Sequence, residues 1–346
     1  MAPSLLARSQ SRNMIDICLR HQWPPKTSLD IQSSGLDCLV VVMRCIVSYL
    51  EPQDLRNSTI QLAQQGDHLT RLFWSLVWMD FDQAGSDATD GMRRQFMDEF
   101  RKKEHLEPNE DPPFIDLARS DEAFMRSFWS QEGLFTLGFT MVREPPDGQW
   151  HQITERCLDL IWDGKTTLED YISSLQGYRS RPDGSFVMIS VFGAPDVLPV
   201  LYRPEGGQRI HNFYDQIRGF TVKLEHYEDG LDIGYRLIAV VRLRGEADPC
   251  DAVRLYRPNG LLVRPTTETD YFPTSWRVSS SEPYMLFYAR CELPDMYDIV
   301  RYPELPANHL ESRSFCFRSA VPSQGQTPEP NSSGAIGSED SSSEAD

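Results

Sequence analysis

The clearest pattern along the chain is a nearly unbroken apolar stretch: Leu39, Val40, Val41, Val42, Met43, Ile46, Val47, Tyr49 and Leu50. Asp37 can cap a helix start just before it and Glu51-Pro52 stops one just after it, so the spacing predicts a helix over 36–50. A helix that is apolar on most sides belongs in a core. Residues 54–79 and 90–105 show helical spacing with a polar face. Phe73, Trp74, Leu76, Val77 and Trp78 form the apolar end of the first, and Phe96 and Phe100 share one side of the second. Asn109 to Pro113 reads as a loop and 121–130 as a short helix. The N-terminus, Met1 to Arg12, is expected to fray.

After about residue 133 the helical spacing gives way to short apolar runs separated by Pro and Gly. These predict strands over 134–142, 186–192, 197–202, 235–243, 253–256 and 284–288. Thr166-Thr167 opens a short helix that runs to about Leu175. Helices first and strands second make an α+β fold. The expected organisation is an N-terminal segment (1–30), a helical subdomain (31–130), a β-rich subdomain (131–318) and a tail (319–346). That tail holds five acids and no base, with almost no large apolar residue, so it is expected to stay disordered.

Charge narrows the range of partners. The chain has 51 acidic and 34 basic residues, a formal net charge of −17. A reader of nucleic-acid backbone needs a basic stripe, and docking on anionic lipid needs one too, so neither partner is expected. The most apolar run is too short to span a bilayer. The seven cysteines are odd in number, scattered, and include no Cys-x-x-Cys pair, so neither a zinc ribbon nor a disulfide scaffold is indicated. They read as reduced thiols of an intracellular protein, in cytoplasm or nucleus, with no cofactor and no metal. Asp163-Gly164-Lys165-Thr166 imitates the end of a phosphate-binding loop, but Asp159 stands where that loop needs Gly.

One thiol stands apart. Cys38 falls at the predicted start of the buried helix, after the small residues Ser33-Ser34-Gly35. Aligned amide dipoles at a helix start favour a thiolate, and free N–H groups beside it can hold an oxyanion. Asp37 works against this, because a neighbouring carboxylate raises a thiol pKa. As a packing element, Cys38 is equally a small apolar filler.

Ser33-Ser34-Gly35-Leu36-Asp37-Cys38-Leu39-Val40 resembles the cysteine box of the ubiquitin-specific proteases, with Gly35 and Cys38 in the matching positions. Later segments follow that family in order: Leu134 to Phe139, Cys157 to Leu160, Thr167 to Ile172, Pro195 to Arg203, Tyr235 to Val241 and Pro283 to Tyr288. The resemblance implies a papain-like cysteine-protease fold of the ubiquitin-specific-protease type and ubiquitin, or a ubiquitin-like tail, as partner. It also implies Cys38 as a vestigial nucleophile, Ser33 as a degenerate oxyanion position and Asp270 as the third triad position. The family's finger cysteines, which hold zinc, are missing.

The family's catalytic His is missing as well. Its position falls near Cys250, in Arg244-Gly245-Glu246-Ala247-Asp248-Pro249-Cys250-Asp251, and no His occurs between His226 and His309. A cysteine protease needs a base for the thiol proton and an acid for the leaving amine. The leading expectation is therefore a catalytically inactive member acting as a binding or regulatory module. Two alternatives stay open: an active deubiquitinase using Cys38 with a displaced base such as His226 or His211, and an unrelated α+β regulatory protein.

Overall fold

The computed structural model describes residues 5, 12–27, 33–49, 53–120, 123–131, 134–143, 149–156, 160–180, 187–205, 210, 212–224, 231–246, 248–257, 259–266 and 276–291. All of these belong to one compact unit, Met1–Leu305; a second unit, Pro306–Asp346, lies outside the described residues and with it the whole tail assigned to 319–346.

The first half is helical: α1 (Arg12–His21), α2 (Ser34–Tyr49), α3 (Gln53–Gln65), α4 (His68–Val77), α5 (Phe81–Glu104), α6 (Phe114–Arg119) and α7 (Ala123–Trp129). Helix α1 packs on α2 and buries Leu19, with Trp23 buried just beyond it, while most of the terminus expected to fray lies outside the described residues. The single helix expected over 54–79 is two. Asp67 breaks it by capping α4, its carboxylate accepting from the Thr70 N–H at 2.7 Å. Helix α5 starts earlier than its spacing suggests and kinks at Gly85, whose φ of 71° suits glycine.

The second half carries β1 (Thr136–Arg143), β2 (Trp150–Arg156), β3 (Ile161–Trp162), α8 (Leu168–Ser173), β4 (Gly177–Ser180), β5 (Val187–Phe192), β6 (Val197–Tyr202), α9 (Phe213–Ile217), β7 (Gly219–Leu224), β8 (Leu231–Arg242), β9 (Ala252–Leu255) and β10 (Tyr284–Cys291). Helices and sheets segregate along the chain, so the fold is α+β. Two sheets form. One runs β2-β1-β5-β4 and is antiparallel throughout. The other runs β3-β6-β10-β8-β7 with β9 beside β8, and within it only the short β3–β6 pair is parallel.

The larger sheet is buried on both faces, which explains why its strands read as continuous apolar runs. Alternation divides the residues. Val197 and Leu201 of β6 and Met285, Phe287 and Ala289 of β10 face the helices. Leu198, Val200, Tyr202, Tyr284, Leu286 and Tyr288 face a second, aromatic core with Trp162, Phe213 and Phe220. A bulge in β8 shifts its register between Leu237 and Ala239, so Tyr235 and Leu237 join one core and Ala239 and Val241 the other.

Helix α2 is the central element, and every residue from Gly35 to Ser48 is buried. It packs on β8 and β9, and Tyr49 Oη donates to the Tyr256 carbonyl at 2.6 Å. Arg44, fully buried within it, turns its guanidinium on carbonyls. It donates to Val77 at 2.6 Å, Met79 at 3.0 Å and Cys18 at 3.2 Å, and it lies over the Phe81 ring. One cation thereby ties α1 and the C-terminal end of α4 to α2.

The four-stranded sheet exposes an apolar face. Register places Trp150 opposite Arg143, and Met141 opposite Ile189, which faces Tyr178 in turn. Phe139, two residues from Met141, shares that face. Phe139, Trp150, Tyr178 and Ile189 are all exposed.

Candidate functional site

The start of α2 brings Ser33, Ser34, Asp37 and Cys38 to the β8–β9 turn, residues 243–251, and to the segment 111–114 that leads into α6. Gly35 permits the approach. A Cβ there would stand 2.4 Å from the Pro112 carbonyl and 2.8 Å from the Phe114 nitrogen, both backbone atoms. Only glycine fits without moving the chain.

Asp251 ties the three segments together. Fully buried, it accepts from the Phe114 N–H at 3.1 Å, the Arg244 N–H at 3.1 Å and Arg244 Nε at 2.8 Å. Its own N–H donates to Ser34 Oγ at 3.2 Å. The Arg244 guanidinium also reaches Ser34 Oγ at 3.0 Å, the Asp111 carbonyl at 3.0 Å and Asp111 Oδ2 at 2.7 Å. Behind this cluster lies another. Arg93 pairs with Asp37 at 2.9 Å and Asp90 at 2.7 Å, and donates to the Pro25 carbonyl at 2.7 Å.

The sequence-predicted residues take the following places. Cys38 is wholly buried rather than facing an open cleft. Burial pushes its thiol well above the ordinary value; Asp251, Asp37 and Asp111 push the same way, and Arg244 opposes them. The expected help from the helix start is outweighed, because desolvation of a thiolate costs more than a few aligned amides return. The Ser33 hydroxyl donates to Asp37 Oδ2 at 2.9 Å. Asp37 is not the cap of α2 either, since the helix begins three residues earlier and Asp37 serves Arg93. Cys250 is exposed at the turn, its N–H bonded to Asp248 at 3.3 Å, with its thiol raised by partial burial and then by Asp248. Asp270, His211, His226 and Cys157 lie outside the described residues.

Arg244, Asp251, Asp111 and Arg93 escaped the sequence reading. An Arg at the end of a buried strand, followed seven residues later by an Asp before the next buried strand, was the available signal. Among the described residues no group of His, Cys, Asp and Glu is placed to hold a metal ion, and no helix is long and apolar enough to cross a membrane.

No protein-family model matches the sequence, and no curated protein matches it. Solved structures of similar shape exist. A chain of the SAGA DUB module Ubp8/Sgf11/Sus1/Sgf73 bound to monoubiquitin aligns over 79% of this chain and 70% of its own, at 12% identity and a TM-score of 0.49. The same module described without ubiquitin aligns over 79% and 69%, at 14% identity and a TM-score of 0.40. The Saccharomyces cerevisiae apo Pan2 pseudoubiquitin hydrolase-RNA exonuclease module aligns over 88% of this chain, at 12% identity and a TM-score of 0.43; this chain spans 59% of that one.

Proposed function

We propose that this chain has the ubiquitin-specific-protease fold without its chemistry, and that it binds ubiquitin or a ubiquitin-like protein as a regulatory module. The observation that carries the reading is the juxtaposition of Cys38 with the turn that should supply the base. The helix start and the turn meet, as a nucleophile and its base must. Ion pairs occupy the junction: Arg244 of the turn pairs with Asp251 and with Asp111. A guanidinium cannot accept a proton from a thiol. A thiol pushed above its ordinary value by burial holds its proton more firmly and offers less thiolate for attack.

Binding does not require that chemistry. The apolar face of Phe139, Trp150, Ile189 and Tyr178 offers rigid aromatic and aliphatic anchors of the kind protein interfaces use. The ordered family-like segments from Ser33 to Tyr288 favour ubiquitin as the occupant over an arbitrary partner. An intracellular setting, cytoplasm or nucleus, belongs to the same proposal.

The test uses the full chain with ubiquitin and with ubiquitin carrying an electrophile at its C-terminus. Reversible binding of ubiquitin, unchanged by Cys38→Ala and without a covalent adduct, is the expected result. An adduct at Cys38 would restore the active-enzyme alternative. Absence of binding to ubiquitin and to ubiquitin-like proteins would leave an unrelated α+β regulator.

A further inference from the structure

The seam beside Cys38 holds more acid than base. Arg244 serves two carboxylates, Asp111 and Asp251, and Arg93 serves two more, Asp37 and Asp90. The four carboxylate side chains are 7% (Asp37), 2% (Asp90), 6% (Asp111) and 0% (Asp251) exposed, so water does little to balance the excess. Asp111 is the least satisfied of the four. Its Oδ2 takes the Arg244 bond, while its Oδ1 is buried without a hydrogen-bond partner. A proton on that idle oxygen removes one surplus charge and leaves the Arg244 contact in place.

We propose that the seam joining the start of α2 to the β8–β9 turn is a proton-linked latch, held shut by a proton on Asp111 Oδ1 and loosened when that proton leaves. The charged groups that act on Asp111 are Arg244 and Asp251 from the turn and Arg101 from α5; Asp37 and Cys38, at the start of α2, sense Asp111 in return. Asp116, in the first turn of α6 beside Glu110 and Arg119, senses the same Arg244 and Asp251. Arg101 gives its Nε to the Glu110 carbonyl at 2.6 Å, which leaves Arg244 as the main cation of the seam.

The direction of the coupling follows from burial. Desolvation raises the Asp111 carboxyl above the ordinary range, with Arg244 pulling the other way. Opening the seam hydrates Asp111, returns it towards its ordinary value and releases the proton. Acid therefore favours the closed seam and base the open one. For a single coupled proton the opening constant changes by at most about tenfold per pH unit.

Cys38 is a built-in reporter, because it is reached only when the seam opens. The full chain is labelled with dithiodipyridine between about pH 5 and about pH 8, and modification of Cys38 is followed by peptide mass spectrometry. Dividing by the rate in the urea-unfolded chain at the same pH removes the thiol's own ionisation. The expected result is a normalised rate that rises several-fold with pH in the wild type. Asp111→Asn, which keeps an oxygen for Arg244 and has no charge to lose, gives a lower, flat profile. Cys45, buried on the same helix where its thiol faces the Ile238 carbonyl, shows no such slope. A flat wild-type profile, or a slope that survives in Asp111→Asn, overturns the proposal. Should that variant not fold, hydrogen exchange of the wild-type amides from Leu36 to Val40 decides: protection that does not change with pH, after correction for intrinsic exchange, also overturns it. The latch does not depend on what the chain binds, so it and the ubiquitin reading can fail separately.

Discussion

Arg244 and Asp251 meet at 2.7 Å across the β8–β9 turn, and the carboxylate is fully buried. A charge taken out of water is tolerated only while it is paired, and losing one partner costs far more than the pair contributes. Arg244→Met is expected to lower the unfolding free energy by about 3–5 kcal/mol, read from urea denaturation. Arg244→Met combined with Asp251→Leu should cost less than the single change. A double variant as unstable as the sum of both singles would show that the two residues act independently.

Gly35→Ala tests the contact between α2 and the segment before α6. Its new methyl would stand 2.4 Å from the Pro112 carbonyl, and neither chain can yield by turning a side chain. The expected cost is about 1–3 kcal/mol, seen as a lower Tm. An unchanged Tm would mean that the two segments separate easily.

Arg44→Met probes the cation inside α2. The carbonyls of Leu19, Val77 and Met79 would lose the Arg44 donor in a dry interior, while that of Cys18 keeps the Gln22 N–H at 2.9 Å. At about 1–3 kcal/mol for each buried group left unsatisfied, a loss of about 3 kcal/mol or more is expected in chemical denaturation. Arg44→Lys should recover only part of this, since one ammonium cannot reach carbonyls on both α1 and α4.

Asp67→Ala should remove the cap of α4 at a cost of about 1 kcal/mol near neutral pH. Desolvation is the largest single influence and raises the Asp67 carboxyl, but the bonds from Thr70 and the charge of Lys103 together outweigh it and hold the group below its ordinary value. A carboxyl lowered by folding contributes stability above its unfolded value and loses it as the pH falls through its folded value. Melting curves of wild type and variant should therefore converge in acid. Curves that stay separated would put the effect in helix packing instead of the carboxylate.

The parts of the fold that were legible in the sequence are those where burial is continuous. Helix α2 was found within two residues at its start, and β6 to the residue, because both are apolar on every side and no surface pattern competes. The strands β2, β4 and β7 were missed. Trp150 to Arg156 mixes His, Gln, Thr and Glu with its apolar residues, as suits a sheet with solvent on one face. The division between α3 and α4 was hidden because Gly66-Asp67 interrupts an otherwise good helical spacing by only two residues. At the site, sequence placed Cys38 and the Cys250 turn in one reading but could not show the ion pairs beside them. One of these comes from Asp111, which is 133 residues from the arginine it binds. Nothing local to Asp111 marks it.

The burial of Cys38 has a consequence for redox chemistry. Peroxide attacks sulfur as the thiolate, and a buried sulfur whose thiol is pushed up by desolvation offers it a poor target. Enzymes that work through a cysteine are silenced by sulfenic-acid formation whenever oxidants accumulate. The closed seam therefore shields Cys38 from that silencing, and an oxidant should reach the sulfur only through the same opening that admits a thiol reagent.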